Sequence, residues 1–127
     1  MLIYKNKYFC TFILDDIAEI DEPRKDLKTV MILPEEFDET WNRSLPSIKK
    51  IYPEDHETYR YTLGNLTLAE DNAEKFSDIK AILKQSNVKN LNDDIIAQDY
   101  WSIDEIIERT RQLSKIFVEH YAVDRNL

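Results

Sequence analysis

Glycine, cysteine and histidine are nearly absent from this chain, and each shortage limits what the protein can do. The 127 residues include one glycine, Gly64, one cysteine, Cys10, and two histidines, His56 and His120. A single cysteine excludes an internal disulfide and a zinc site built from cysteines, so we expect Cys10 to be a small buried side chain. Scarce glycine and proline beside many charged residues favour helices over loop-rich or sheet-rich architectures.

The chain also has no apolar run long enough to cross a membrane. The N-terminal candidate, residues 8–14, ends at Asp15 and Asp16 and is too short for a secretory signal. We therefore expect a cytoplasmic protein with no membrane partner.

A surplus of positive charge is missing as well. Asp and Glu number 25 against 17 Lys and Arg, which gives a net charge of −8. Proteins that bind phosphate backbones unaided usually carry a surplus of basic residues or a basic stripe on their surface. The runs of basic residues in this chain, such as Lys49 and Lys50, are short. The charge balance argues against an independent DNA-cutting domain, and DNA contact is expected only through a partner.

Hydrophobic patterning predicts a single domain over residues 1–127, of α+β class and mostly helical. Apolar residues recur at helical spacing over residues 8–20, and the apolar run over residues 27–33 is β-like. Pro34, followed by two acids, is a plausible helix start.

The only glycine introduces the second predicted strand. Gly64 suggests a backbone position that other residues reach only at a cost. Asn65 and the alternating Leu66-Thr67-Leu68 sequence follow it, which predicts a tight turn that leads into a short strand. We expect this strand and the first one to form a small two-stranded β-hairpin with an adjoining helix.

Two capping patterns predict helix starts in the second half of the chain. Asp71-Asn72-Ala73-Glu74 has the form of a capping box that begins with Asp, and it leads into an apolar stripe that starts at Phe76. Ser102-Ile103-Asp104-Glu105 is a second capping box, which opens the longest periodic helix. Residues 85–99 between the two helices are predicted to be a polar connector.

Several short sequence motifs follow one another in a characteristic order. They are Ile32-Leu33-Pro34, then Leu63-Gly64-Asn65-Leu66-Thr67-Leu68, then Asn72 with Phe76 and Lys80, and finally Trp101, Ile106, Arg109 and Leu113. This order, over residues 12–121, resembles the C-terminal domain of GmrSD-type restriction endonucleases, an HNH-like domain of His-Me finger type. That family has a Glu-His-Ile-Met-Pro strand, Leu-Gly-Asn-Leu-Thr-Leu, a Phe-x-x-Lys helix, and Trp followed by Ile-x-x-Arg-x-x-x-Leu.

The resemblance implies a catalytic centre whose main residues are replaced here. In the family, a strand histidine activates water beside a divalent metal that an acid and a helix Asn or His help to hold. When the proline of the family strand is aligned with Pro34, the family's histidine falls on Met31 and its acid falls on Val30. Met has no proton to exchange and a soft thioether, and Val offers no oxygen ligand. Asn72 is the nearest match to the metal-site Asn, with Asp71 as its displaced counterpart.

Other polar residues have alternative roles. Asn65 either bonds local backbone in its turn or orients a catalytic loop, and Asn72 is either a helix cap or a metal ligand. His56 is a candidate replacement base, whereas His120 is expected at the surface or on terminal carbonyls. Arg109 is expected in a structural ion pair rather than on phosphate. The acids at positions 35, 36 and 38 are explained by the dipole of the predicted helix rather than by cation binding.

Three functions follow from these observations. The preferred one is a degenerate, catalytically inactive nuclease domain that acts as a binding or structural module in a restriction or phage-defence context. It would have no metal or cofactor and would rely on a protein partner or on the N-terminal domain that relatives normally carry. Trp41, Tyr59, Tyr61 and Trp101 are aromatic anchors for a partner if they are exposed.

Two alternatives stay open. One is an active DNA endonuclease with Mg²⁺ or Mn²⁺ and a rearranged site around His56, Asp71 and Asn72. The other is an acidic inhibitor or antitoxin-like protein that occupies a basic surface by mimicking the charge of DNA.

Overall fold

A computed structural model describes residues 7–18, 26–37 and 39–125, with side chains for residues 13–18, 26–37 and 39–119. Helices dominate these residues, and the mostly helical α+β fold is confirmed. The elements are α1 (Lys7–Ala18), β1 (Lys28–Met31), α2 (Glu39–Arg43), a 3₁₀ turn (Ser47–Lys49), α3 (Pro53–Tyr59), a second 3₁₀ turn (Leu63–Asn65), β2 (Leu66–Ala69), α4 (Phe76–Ser86), α5 (Lys89–Ile96) and α6 (Ile103–Arg125). No helix within the described ranges is both long and apolar enough to span a bilayer. The side chains of Cys10 and His120 lie outside the described residues.

The two strands form an antiparallel pair, as predicted. Lys28 lies opposite Ala69, and Met31 lies opposite Leu66. The chain between them, residues 32–65, is long and carries α2 and α3, so the strands are not joined by a tight reversal. The tight turn is instead the 3₁₀ turn that directly precedes β2.

Apolar side chains cover both faces of the strand pair, because successive strand residues point to opposite faces. One face belongs to the first core, which is made of Val30, Ile32, Leu33, Trp41, Leu45, Ile51, Ala69, Ile79, Leu83, Ile95, Trp101 and Ile106. The other belongs to the second core, which is made of Ile13, Leu14, Ile17, Ala18, Leu63, Leu66, Leu68, Val88, Leu91 and Leu113. A sheet of only two strands is therefore buried on both sides.

Two predicted helix starts are wrong. Residues 32–37 after β1 form bends, and α2 begins only at Glu39. Asp71 does not cap α4, which starts at Phe76 with Lys75 at its N-cap position and no capping side chain. The Asp71 carboxylate accepts hydrogen bonds from the Asn72 N–H and from Lys28 instead. These local contacts explain its residue type without a helix.

The predicted polar connector is also wrong, because residues 85–99 contain α5. Leu91 and Ile95 are four residues apart and fully buried, which is the spacing of one helix face. The helix is short and its exposed face is polar, so the apolar signal is weak in the sequence.

The second capping box forms only in part. Glu105 Oε1 accepts a hydrogen bond from the Ser102 N–H at 3.2 Å, as a capping box requires. The Ser102 hydroxyl, however, donates to the Lys49 carbonyl at 2.5 Å rather than capping α6. A tertiary contact thus replaces half of the local one.

Gly64 is needed for close packing rather than for an unusual backbone conformation. Its φ is not positive. A Cβ atom at this position would lie 2.0 Å from the Ile106 carbonyl oxygen and 2.6 Å from the Thr110 nitrogen. Helix α6 therefore rests directly on the backbone of residue 64.

We expect Gly64→Ala to lower the free energy of unfolding by roughly 3 kcal/mol or more, because the methyl group would overlap helix backbone that cannot yield locally. Urea denaturation measures the change. Ser77→Ala, at an exposed position of α4, is the control and should stay within about 0.5 kcal/mol. An unchanged midpoint for Gly64→Ala would contradict this account of the packing.

Candidate functional site

Asn65 lies at the centre of a buried polar network around the end of β1. Its Oδ1 accepts hydrogen bonds from the Leu33 N–H at 2.8 Å and from Trp101 Nε1 at 3.1 Å. Its Nδ2 donates to the carbonyls of Leu33 and Arg60, each at 3.0 Å. The amide thus uses both donors and both acceptor positions. Three of the four bonds reach other parts of the fold, so Asn65 does more than bond local backbone in its turn.

Helix α6 binds the backbone on either side of Asn65. Arg109 donates to the Gly64 carbonyl at 3.0 Å, to Leu66 at 2.7 Å and to Leu91 at 3.1 Å. The Thr110 hydroxyl accepts a hydrogen bond from the Gly64 N–H at 2.8 Å. One turn of α6 thereby fixes the 3₁₀ turn, β2 and α5 together.

Arg109 has the structural role that the sequence predicts, although its main partners are carbonyl groups. Its side chain is 3 % exposed, and its Nε lies 3.6 Å from an Asp94 oxygen. Burial lowers the pKa of Arg109 to about 10, and the Asp94 carboxylate opposes that shift. The guanidinium is therefore charged at neutral pH, and it is too deeply buried to contact a phosphate.

Asn92, which sequence reasoning missed, completes the network from α5. The Thr67 hydroxyl donates to Asn92 Oδ1, and Asn92 Nδ2 donates to the Leu68 carbonyl at 3.0 Å. Its position between Leu91 and Ile95, on one face of a helix, is the sequence signal that indicates burial. The prediction of a connector over residues 85–99 concealed that signal.

The positions that the sequence resemblance assigns to a base and an acid hold apolar side chains. Val30 is 5 % exposed and belongs to the first core. Met31 is half-buried and packs against the second core. Neither side chain carries an ionisable group or a hard metal ligand.

Asp71 and Asn72 lie at the other end of the strand pair. Both are exposed, and Asp71 is 3.4 Å from Lys28, the first residue of β1. Hydrogen bonds from the Asn72 N–H and from Lys28 lower the pKa of the Asp71 carboxyl. Lys28 and Met31 are three positions apart on β1, a separation of about 10 Å.

His56 is positioned beyond the Met31 end. It is 6 % exposed, its Nε2 donates to the Pro34 carbonyl at 2.8 Å, and its ring centroid lies 5.0 Å from that of Phe37. Because Nε2 carries the proton in this bond, that nitrogen is not free to accept one. His56 contacts Pro34 beyond one end of β1, whereas Asp71 contacts Lys28 at the other end. The structure thus does not bring His56 together with Asp71 and Asn72.

Within the described part of the chain, no three His, Cys, Asp or Glu side chains are grouped so that they could hold a metal ion. Glu35 accepts a hydrogen bond from the Tyr61 hydroxyl, which raises the pKa of that phenol. Asp38 lies outside the described residues.

Two of the predicted aromatic anchors are largely buried. Trp41 is 6 % exposed and Trp101 is 2 % exposed, and Trp41 Nε1 donates to the Trp101 carbonyl at 2.9 Å. Phe76 lies between the two rings, 6.2 Å and 5.8 Å from their centroids. These rings form the floor of an open groove of about 480 Å³, while Tyr59 and Tyr61 are half-buried elsewhere.

The Asn65 network predicts a contrast between two identical substitutions. Asn65→Asp removes both donors and places a buried carboxylate beside two carbonyl oxygens, so we expect a loss of about 3 kcal/mol or more in unfolding free energy. Asn72→Asp changes an exposed amide and should cost less than about 0.5 kcal/mol. Urea denaturation of both variants at neutral pH makes the comparison. Equal effects would contradict the central role of Asn65.

Comparison with known proteins agrees with the sequence resemblance. Residues 4–116 match the family model described as "GmrSD restriction endonucleases, C-terminal domain". Neither the search of curated proteins nor the search of solved structures gave a match. Because the family match covers most of the chain, the protein belongs to the family of GmrSD restriction endonuclease C-terminal domains.

Proposed function

We propose that this chain is a degenerate nuclease domain that has lost hydrolytic activity and serves as a binding or structural module of a restriction system. The observation that carries the proposal is Met31, at the position that matches the family's base. A thioether packed against an apolar cluster cannot take a proton from water. The family membership supplies the restriction-related context.

The surroundings of Met31 support the same conclusion. Val30 beside it offers no oxygen ligand and is buried in the first core. The nearest imidazole, His56, is bonded to the Pro34 carbonyl, and Asp71 is bonded to Lys28 at the far end of the strand pair. A rearranged site around these residues would require His56 and Asp71 to leave these partners and come together.

A binding role requires a partner, and the acidic balance argues that this partner is protein. We infer that an N-terminal domain or a separate subunit supplies whatever nucleotide-dependent or DNA-directed activity the system has. The net charge of −8 makes unaided DNA association unfavourable. A domain without catalysis still contributes by presenting a rigid surface in a fixed orientation.

We expect the purified chain to leave supercoiled plasmid uncut in Mg²⁺ or Mn²⁺, because no described residue combines a free base with metal ligands. His56→Ala and Asp71→Ala should match the wild-type chain and a buffer blank in an agarose-gel nicking assay. EDTA-sensitive nicking that disappears in His56→Ala would overturn the proposal in favour of the rearranged site.

Restoring the family residues is expected to be costly at one position and mild at the other. Val30→Glu buries a carboxylate in the first core and should lower the unfolding free energy by about 3 kcal/mol or more. Met31→His lies at a half-buried position and should cost about 1 kcal/mol. Urea denaturation separates the two, and a smaller loss for Val30→Glu would contradict the packing argument. Metal-dependent nicking by the double variant would support a decayed site on an intact scaffold.

A further inference from the structure

The open groove lined by Trp41, Phe76, Tyr100 and Trp101, here named the aromatic groove, lies apart from the positions on which the proposed function depends. Its volume is about 480 Å³, and Met31 is not among its lining residues. Pockets that bind small molecules have volumes of this order and mostly apolar walls. Binding in the aromatic groove is therefore independent of whether the chain cleaves DNA.

The floor of the aromatic groove is apolar because its indole N–H groups are already bonded. Trp41 Nε1 donates to the Trp101 carbonyl, and Trp101 Nε1 donates to Asn65. Phe76 is half-buried between the two indole rings, and Tyr100 is 41 % exposed. Such a floor suits a flat apolar body, and an aromatic ring packs well against other rings.

Lys80 presents a positive charge at a fixed place in the groove. Its Nζ donates to the Gln98 carbonyl at 2.8 Å and lies 5.1 Å from the centroid of the Phe76 ring. Among the residues that the structure describes, no carboxylate forms an ion pair with Lys80. An ammonium group has three N–H donors, so Lys80 retains donors for a carboxylate of a ligand.

Two exposed carboxylates, those of Glu74 and Asp99, supply negative charge at the rim of the groove. Neither forms an ion pair within the described part of the chain. Asp99 lies between Gln98, whose carbonyl binds Lys80, and Tyr100, which lines the groove. Charges of both signs are therefore available at the rim close to an aromatic ring.

An apolar floor below rim charges of both signs fits one class of small molecule. We propose that the aromatic groove binds an aromatic amino acid in its zwitterionic form. The ring packs against Phe76 and Tyr100, the carboxylate binds Lys80, and the ammonium group lies near Asp99. Ion pairs in an open groove contribute modestly, so we expect a dissociation constant of roughly 1 mM.

Isothermal titration calorimetry of the purified chain with three related ligands tests the proposal. L-Tryptophan carries both charges, indole-3-propionate lacks the ammonium group, and tryptamine lacks the carboxylate. L-Tryptophan should bind most tightly, and each of the other two should bind about two- to fivefold more weakly, the range of exposed ion pairs. No binding of L-tryptophan at about 10 mM, or equal binding of all three ligands, would overturn the proposal.

Substitution of each rim charge tests the orientation of the ligand. Lys80→Met should weaken L-tryptophan and indole-3-propionate about two- to fivefold without weakening tryptamine, which has no carboxylate. Lys80→Arg keeps the charge and should bind all three ligands nearly as the wild-type chain does. Asp99→Asn should weaken L-tryptophan and tryptamine but not indole-3-propionate. An equal loss for all three ligands in either charge-removing variant would reject this orientation.

The ring contact is tested at Tyr100, whose exposure makes its removal tolerable for the fold. Tyr100→Ala should weaken all three ligands roughly threefold or more, because each carries the same indole ring. Lys84→Met on α4 and Asp93→Asn on α5 are matched controls at exposed positions outside the groove. Both should leave the dissociation constants unchanged, and losses as large as in the groove variants would contradict the proposed site. Urea midpoints close to the wild-type value confirm that every variant is folded.

Discussion

The contact between α6 and the backbone of Gly64 is the constraint on which the rest of the structure depends. No side chain separates the two elements there, since even a methyl group would overlap the Ile106 carbonyl. At this distance Thr110 reaches the Gly64 N–H, and Arg109 reaches three carbonyls that belong to the 3₁₀ turn, β2 and α5. The absence of a side chain therefore lets one helix turn organise three other elements.

The same contacts explain the family motif by its role in the fold. Gly64 and Asn65 lie in the segment that identifies the family, and they form hydrogen bonds with buried partners within the fold. Thr67 bonds to Asn92 in the same way. Replacing Asn65 or Thr67 with an apolar residue would leave buried polar groups unpaired, which is costly whether or not a substrate is present. The motif is therefore explained by the scaffold, whereas the proposed loss of activity depends on the residues at positions 30 and 31.

Sequence reasoning succeeded where a pattern is local and failed where the partner is distant. The alternating residues of β2 and the apolar stripe of α6 reflect single faces, so their spacing was sufficient. The Asp71 cap failed because Lys28, 43 residues away, shares that carboxylate. Asn65 was expected either to bond its own turn or to orient a catalytic loop, yet it binds Leu33 and Trp101, which are 32 and 36 residues away in the chain. Partners of this kind are fixed by tertiary packing and leave no mark in local spacing.

The two apolar residues of β1 are best understood as a pair. Position 30 lies in the first core, where a carboxylate is stable only beside a cation or a metal that offsets its desolvation. A metal at this place requires further ligands, and the described residues around it provide none in a suitable group. In the proposed assignment position 31 carries no base, so an acid at position 30 would be an uncompensated buried charge, and valine is the more stable occupant. Val30 and Met31 therefore act together: they pack β1 between the two cores without introducing a buried charge.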